Sequence, residues 1–562
     1  MEKSARGVSL TRHNLVSGSV DSPSTIEHWL REGQRRRLIP RWLSSFGDPG
    51  DRRYAIVLDP NPEGVLWNVD GLAGDDAALY QQRFNAQRAQ WAWPGLVTVT
   101  PDGRFLALFR DGDIGPWIAR HNMTSAGYQQ EVNRWWPQGY FPLYVQGGGT
   151  GAQTRFACLF VKRERPVERQ FTVTGTAVAA FAPIDKKIET IMRASGTRAC
   201  AVAITREGRL VHARGYTWAE PGYPLTQPTT MFRVASCSKP ITAMAIHLLI
   251  QQGRLQLTDK MQARLQLQPP PGRSIAAQMD QITVHHLLTH TAGWDRSKVC
   301  DLAPLEDVAK AFGQTFLPVT REQMARYQLS RPLQFTPGTE LAYSNLGYLL
   351  LGLIVDRVAQ IDYVSFVRQQ IMAPLGLTRP HRARTTSGGQ MPGVARQHDN
   401  DGNGPDLRVV PSAMGGPVDG PRQLVPLAYG GEDLRLFDAF GGWCMAPCDY
   451  GRILASLDRG DASPVLRQAS LDQMWTVQPF VAGSSYANGW DRFDAGGGRF
   501  GVRHGGAMPG VASSIVWRSD NWGIALFGNG PALPDVYPEV AALPAVSWPA
   551  HDLFPEVGIA SF

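Results

Sequence analysis

Four side chains in this 562-residue chain have the types and spacing to break an acyl bond: Ser236, Lys239, Tyr343 and Asn345. Ser236-Cys237-Ser238-Lys239 is the one Ser-x-x-Lys tetrad. The chain holds eight Lys, and none of the other seven has Ser three positions before it. Three residues apart on a helix, Ser236 and Lys239 share a face and lie within mutual reach. A hydroxyl needs a base to become a nucleophile, and a buried Lys sheds its ammonium proton more readily. Tyr343-Ser344-Asn345 begins 107 residues after Ser236. Beside Lys239 its phenol is expected to favour the phenolate, take the Ser proton and later return it to a leaving group. Asn345 is expected to donate to the substrate carbonyl and to Lys239. His504-Gly505-Gly506-Ala507 is the third element. Its glycines allow a substrate backbone to approach a sheet edge and lie there as an added strand. A second Tyr-x-Asn, Tyr486-Ala487-Asn488, sits in a Gly-rich turn and reads as structural.

These residues need elements to hold them. Pro240 directly follows Lys239, and Pro is tolerated only in the first turn of a helix, so a helix should begin near Ser236. Its next residues are apolar almost all round, from Ile241 through Ile250, which predicts a buried helix stopped by Gly253. Such a helix start offers N–H groups and positive potential to a developing oxyanion. Tyr343 lies on a loop before a second apolar helix, Leu346–Ala359. Upstream, a helix over Ile184–Ser195 leads to a strand at Cys200–Thr205, a turn at Glu207-Gly208 and a return strand at Leu210–Tyr216. Hairpins are expected at Gly501–Val516 and Trp522–Gly528. Strands at both ends with helices between them predict an α+β domain, an antiparallel sheet flanked by helices. Residues 385–424 lack any period and read as a functional or mobile loop.

The first part of the chain has another texture. Tyr80-Gln81-Gln82 recurs as Tyr128-Gln129-Gln130, Pro94 as Pro142, and Arg104–Phe109 as Arg155–Phe160. A worn upstream copy has Pro40 before Arg53–Leu58, and Trp67 answers Trp117. Each unit reads as a short polar helix, a turn at Pro and two short strands. Units of about 50 residues cannot bury their own apolar faces and must stack. Residues 25–178 are therefore expected to be a tandem-repeat domain of short β-hairpins and helices. Residues 531–562 are expected to be a Pro-rich tail. His121 has no ligating neighbour and reads as structural.

Composition excludes several classes. Fifty-six basic residues stand against 49 acidic ones, a net charge of +7. That mild excess, with no Walker loop or zinc spacing, argues against nucleic acid. No apolar run reaches the ~18 residues of a spanning helix. The six Cys are too few for a disulfide scaffold, and no Cys/His group has metal-ligand spacing. Cys444 and Cys448 could pair only if the backbone turns between them. No signal-peptide core is visible at the start.

The motifs in this order resemble the serine β-lactamase and penicillin-binding-protein superfamily, and within it the class C, esterase and D-aminopeptidase branch. Thr283–Trp294, Pro337-Gly338 and Gly441-Gly442 support the match, which runs from about Asp185 to Gly530. The resemblance implies a β-lactamase-like domain over 184–530, and no cofactor or metal is expected. It makes Ser236 the acylated nucleophile and Lys239 with Tyr343 the proton-handling pair, while Asn345 positions substrate. The backbone N–H groups of Ser236 and Ala507 would form the oxyanion hole, beside His504, Gly505 and Gly506. His290 would be a structural loop residue. Lactamases of that branch carry Lys-Thr-Gly where this chain has His504-Gly505-Gly506. A mostly neutral His there favours peptidase, amidase or esterase chemistry over antibiotic hydrolysis. The N-terminal repeats, with Trp117–Met123 and Arg155–Ala157, resemble polyglycine hydrolases and their bacterial relatives. That likeness implies a secreted endopeptidase acting on a peptide or protein substrate, Gly-rich in the family, held in part by the repeats. The alternatives are a β-lactamase, an esterase, a D-aminopeptidase, or a penicillin-binding sensor that does not turn over.

Overall fold

Small and large residues alternate along Ala199–Arg206 because the strand faces two cores. Ala199, Ala201 and Ala203 pack toward the helices after Ser236. Cys200, Val202 and Ile204 pack toward a helix at Ala182–Ser195, α1. Side chains alternate across a strand, and a strand covered on both faces shows no polar alternation. The computed structural model describes residues 8–10, 15–17, 23–46, 53–163, 166–398 and 408–562.

Seven antiparallel strands form the central sheet. They are β1 (Gln170–Thr174), β2 (Ala199–Arg206), β3 (Arg209–Ala219), β4 (Asp491–Gly496), β5 (Arg499–Met508), β6 (Val511–Arg518) and β7 (Trp522–Gly528). Their order is β1-β3-β2-β7-β6-β5-β4. β5 is therefore not an edge strand along its whole length. Its pairing with β4 stops at Asp491↔Arg503, while its pairing with β6 continues to Met508↔Val511. His504–Met508 thus pair on one side only, and the free edge expected at the Gly-rich motif is this half-strand.

The expected helices appear as α2 (Ser238–Gln251) and α3 (Asn345–Ala359). Every residue of α2 from Ser238 to Leu249 is buried. A third helix, α4 (Pro447–Leu457), is buried throughout and covers β2 and β7. Residues after 530 are not an appended tail. Phe554 and Ile559 enter the main core, and Val536 and Val540 enter the core under α1. Their apolar spacing is too irregular to announce that docking.

In the N-terminal region, two consecutive segments fold as strand, helix, strand, strand. The first has strands Trp67–Asp75, Trp93–Val99 and Phe105–Arg110 around helix Ala77–Arg88. The second has strands Trp117–Met123, Phe141–Gly148 and Arg155–Val161 around helix Ser125–Trp135. In each, the last strand is central. Tyr80 stacks on Phe105 (5.3 Å) as Tyr128 stacks on Phe156 (5.9 Å). The sequence reading omitted the strand before each helix, and its Pro turns are bulges. Pro94 and Pro142 sit in edge strands beside register shifts, where a missing N–H costs no ladder bond.

This region is locked to the sheet by buried charges. Asp111 accepts from Arg169 at 3.1 Å and from Arg198, and Glu220 accepts from Arg198 at 2.7 Å. All four side chains are less than a tenth exposed, so each charge depends on its partners. The six cysteines are unpaired, and only Cys300 is exposed. No helix among the described residues is long and apolar enough to cross a membrane.

Candidate active site

Ser236 lies in a single 3-10 turn, Ala235–Cys237, that runs directly into α2. The helix thus starts two residues later than the Ser, yet the tetrad still closes. Lys239 is fully buried, and its Nζ has three neighbours: Ser236 Oγ at 3.0 Å, Asn345 Oδ1 at 2.8 Å and the Phe440 carbonyl at 3.0 Å. Two of these can only accept. They take two N–H groups, and the remaining position of the amine faces the one partner able to donate, the Ser hydroxyl. Burial pulls the Lys239 ammonium well below its usual range. Once it has lost a proton, the amine can turn its lone pair toward Ser236 Oγ in this arrangement.

Tyr343 and Asn345 are held at the start of α3. Ser344 caps the helix by accepting from Gly347 N at 3.2 Å. Asp301 secures the same turn, accepting from Ser344 Oγ at 2.7 Å and Asn345 N at 2.5 Å. A carboxylate at a helix N-terminus is favoured by the unpaired N–H groups there. Lys239 Nζ lies 4.7 Å from the Tyr343 ring centroid. Burial nevertheless pushes the Tyr343 phenol above its usual range, so the expected resting phenolate is disfavoured. Desolvation outweighs the nearby cations. Asn345 also differs from expectation, since toward Lys239 it accepts rather than donates. An amine with N–H groups to place needs an acceptor there.

Behind Tyr343 lies a row of buried rings. His290 packs 4.3 Å from Tyr343, accepts from Ser344 N through Nδ1 at 3.2 Å, and meets Tyr486 OH through Nε2 at 3.0 Å. Tyr486 OH also reaches His504 Nε2 at 3.3 Å. The second Tyr-x-Asn is therefore a brace of the site, although its Asn488 turns away to the Gln473 carbonyl. His504 is 8% exposed, and burial lowers its pKa to about 3, so it stays neutral. It faces this network instead of open solvent.

The open side is a cleft of about 500 Å³ lined by Ser236, Asn345, Glu432, Phe437, Phe440 and Ala507, among others. Gly506 presses against the nucleophile's turn. A Cβ there would stand 2.9 Å from Ser236 N and 2.6 Å from Val234 O. Of the sequence-predicted residues, the structure gathers Ser236, Lys239, Tyr343, Asn345, Gly506 and Ala507. It leaves Gly505 exposed on the free edge and His504 buried behind. Sequence reasoning missed Asp301, Tyr486 and Arg296, whose guanidinium sits 4.7 Å over the Tyr343 ring. Asp301 and Arg296 belong to no spaced motif, and the Tyr-x-Asn of Tyr486 was read as structural; only an acid paired with a helix start could have signalled Asp301.

Residues 184–543 match the beta-lactamase family model. The chain belongs to the beta-lactamase family. Residues 114–163 match a polyglycine hydrolase-like structural repeat. Protein flp of Staphylococcus aureus strain N315 is 28% identical over 205 residues, 36% of this chain and 39% of the relative. Penicillin-binding protein 4* of Bacillus subtilis strain 168 is 29% identical over 186 residues, 31% of this chain and 35% of the relative. The chain thus spans less than two fifths of these curated relatives. Among solved structures, the octameric penicillin-binding protein homologue of Pyrococcus abyssi aligns over 67% of this chain and 78% of its own (22% identity, TM-score 0.45). A D-stereospecific amidohydrolase from Streptomyces aligns over 65% and 98% (21% identity, TM-score 0.46). The matched domain has the beta-lactamase-like fold, with its antiparallel sheet and helices, and short strands precede it.

Proposed function

We propose that this family member cleaves a peptide bond in an extended, glycine-rich chain through an acyl-enzyme at Ser236. The observation that carries the chemistry is the Lys239 amine, whose acceptors leave one position for the Ser236 hydroxyl. In the first step Ser236 Oγ bonds to the scissile carbonyl carbon while its proton passes to the Lys239–Tyr343 pair. The carbonyl oxygen, now negative, rests near the backbone N–H groups of Ser236 and Ala507. The C–N bond then breaks, and the same pair returns the proton to the departing amine. Water repeats the sequence on the ester, releasing the acid and restoring Ser236.

Two observations support a peptide. His504–Met508 offer backbone groups on one free side, beside Ser236, for a strand-like substrate. The repeat matched over 114–163 is of the polyglycine hydrolase type, which supports a Gly-rich chain. The likeness of the repeat to polyglycine hydrolases makes an enzyme acting outside the cytoplasm part of the same proposal. Incubation with a Gly-rich linker peptide and, separately, a chromogenic cephalosporin tests it. Peptide cleavage lost in Ser236→Ala is expected. Cleavage of the cephalosporin alone would replace the peptidase reading with a lactamase one.

A further inference from the structure

A fixed positive charge is what the third motif lacks, since His504 is buried and neutral. We infer that Arg296 supplies that charge from another loop: its guanidinium, seated on the Tyr343 ring, stabilises the deprotonated base that accepts the Ser236 proton. This rests on the acyl-enzyme reading above.

The geometry comes first. Arg296 Cζ lies 4.7 Å from the Tyr343 ring centroid, the same distance as Lys239 Nζ. Tyr343 thus stands beside two cations. Arg296 is exposed, and among the described residues it has no hydrogen bond or ion pair. The acids around its loop are engaged elsewhere: Asp295 with Ser297 and Lys298, and Glu340 with Lys298. An unpaired guanidinium held by an aromatic face keeps its full charge for that ring.

The remaining groups facing the pair leave Arg296 with one opponent. Burial keeps His290 and His504 neutral, raises the phenols of Tyr348 and Tyr486, and pushes the Cys237 thiol up to about 12. Asp301 is the charged group on the other side. It strengthens proton binding at Lys239 and at Tyr343, and Arg296 weakens both. Removing Arg296 therefore leaves Asp301 unopposed, and the base holds its proton to higher pH. A charge at this distance moves a pKa by about one unit when one side is solvated, near the low end of the usual 1–3.

The test is the pH dependence of acylation by a fluorophosphonate probe, measured on the full chain as wild type, Arg296→Ala, Arg296→Lys and Ser236→Ala. In Arg296→Ala the acid limb is expected to move up by about one pH unit, a loss of about tenfold at fixed pH on that limb. The Lys variant should restore the limb. An Ala profile that superimposes on wild type, or a uniform drop at every pH, would overturn the inference. Labelling that survives Ser236→Ala would instead overturn the acyl-enzyme reading beneath it.

Discussion

Gly506→Ala should displace the nucleophile, and the structure says by how much. The added Cβ would stand 2.3 Å from Ser513 Oγ, 2.6 Å from Val234 O and 2.9 Å from Ser236 N. Ser513 can rotate, but it would give up its 2.7 Å bond to Val234 O. Val234 O and Ser236 N are backbone and must move as part of the turn. Relief of the Val234 contact to about 3.5 Å requires roughly 0.9 Å of displacement. Overpacking of this kind costs about 1–3 kcal/mol. A nucleophile misplaced by nearly 1 Å loses on the order of 100-fold in rate. Gly505→Ala provides the contrast, because its Cβ would meet nothing nearer than Ser513 O at 3.9 Å. Thermal melts should show the stability loss at Gly506 and not at Gly505. Stopped-time labelling with a fluorophosphonate should show the rate loss at Gly506. A Gly506→Ala protein that melts and labels like wild type would refute the close-approach argument.

Three other outcomes are expected. Lys239→Arg keeps a cation that cannot act as a base, so acylation should fall by about 10²–10⁴-fold; a rate within tenfold of wild type would exclude Lys239 as proton acceptor. His212, His247 and His504 have pKa values lowered to about 3 by burial, so the folded chain binds fewer protons than the unfolded one between pH 6.5 and 3. Stability should therefore fall as pH drops through that window, by about 1.4 kcal/mol per unit for each group, and a urea midpoint unchanged from pH 7 to pH 5 would contradict it. Asp111→Ala strips one carboxylate from Arg169 and Arg198, which should cost about 3–5 kcal/mol and expose the junction between the N-terminal region and the sheet to limited proteolysis. Wild-type resistance would show that the junction does not depend on that pair.

Much of the fold was legible because periodicity is a local property. The all-apolar run after Pro240 announced a buried α2, and the Glu207-Gly208 turn joined β2 to β3 as expected. The repeated Tyr and Phe positions marked equivalent ring pairs before either was placed in space. The Pro residues misled because a bulge and a turn share the same residue preference. Only partner strands distinguish them. The docking of Phe554 and Ile559 was hidden for the same reason, as a short apolar segment does not say which core it enters.

The sequence by itself determined the chemical parts: one Ser-x-x-Lys tetrad, a Tyr and an Asn at the start of an apolar helix, and a Gly-rich strand. Helical spacing brings Ser236 to Lys239 whatever the rest of the chain does. Tertiary structure decided the state of those parts. Whether Lys239 is neutral, whether Tyr343 is a phenol, and which way Asn345 points depend on burial and on Asp301, Arg296 and the Phe440 carbonyl. Those partners lie between 42 and about 200 residues away along the chain, and desolvation belongs to a place in space, not to a position in sequence.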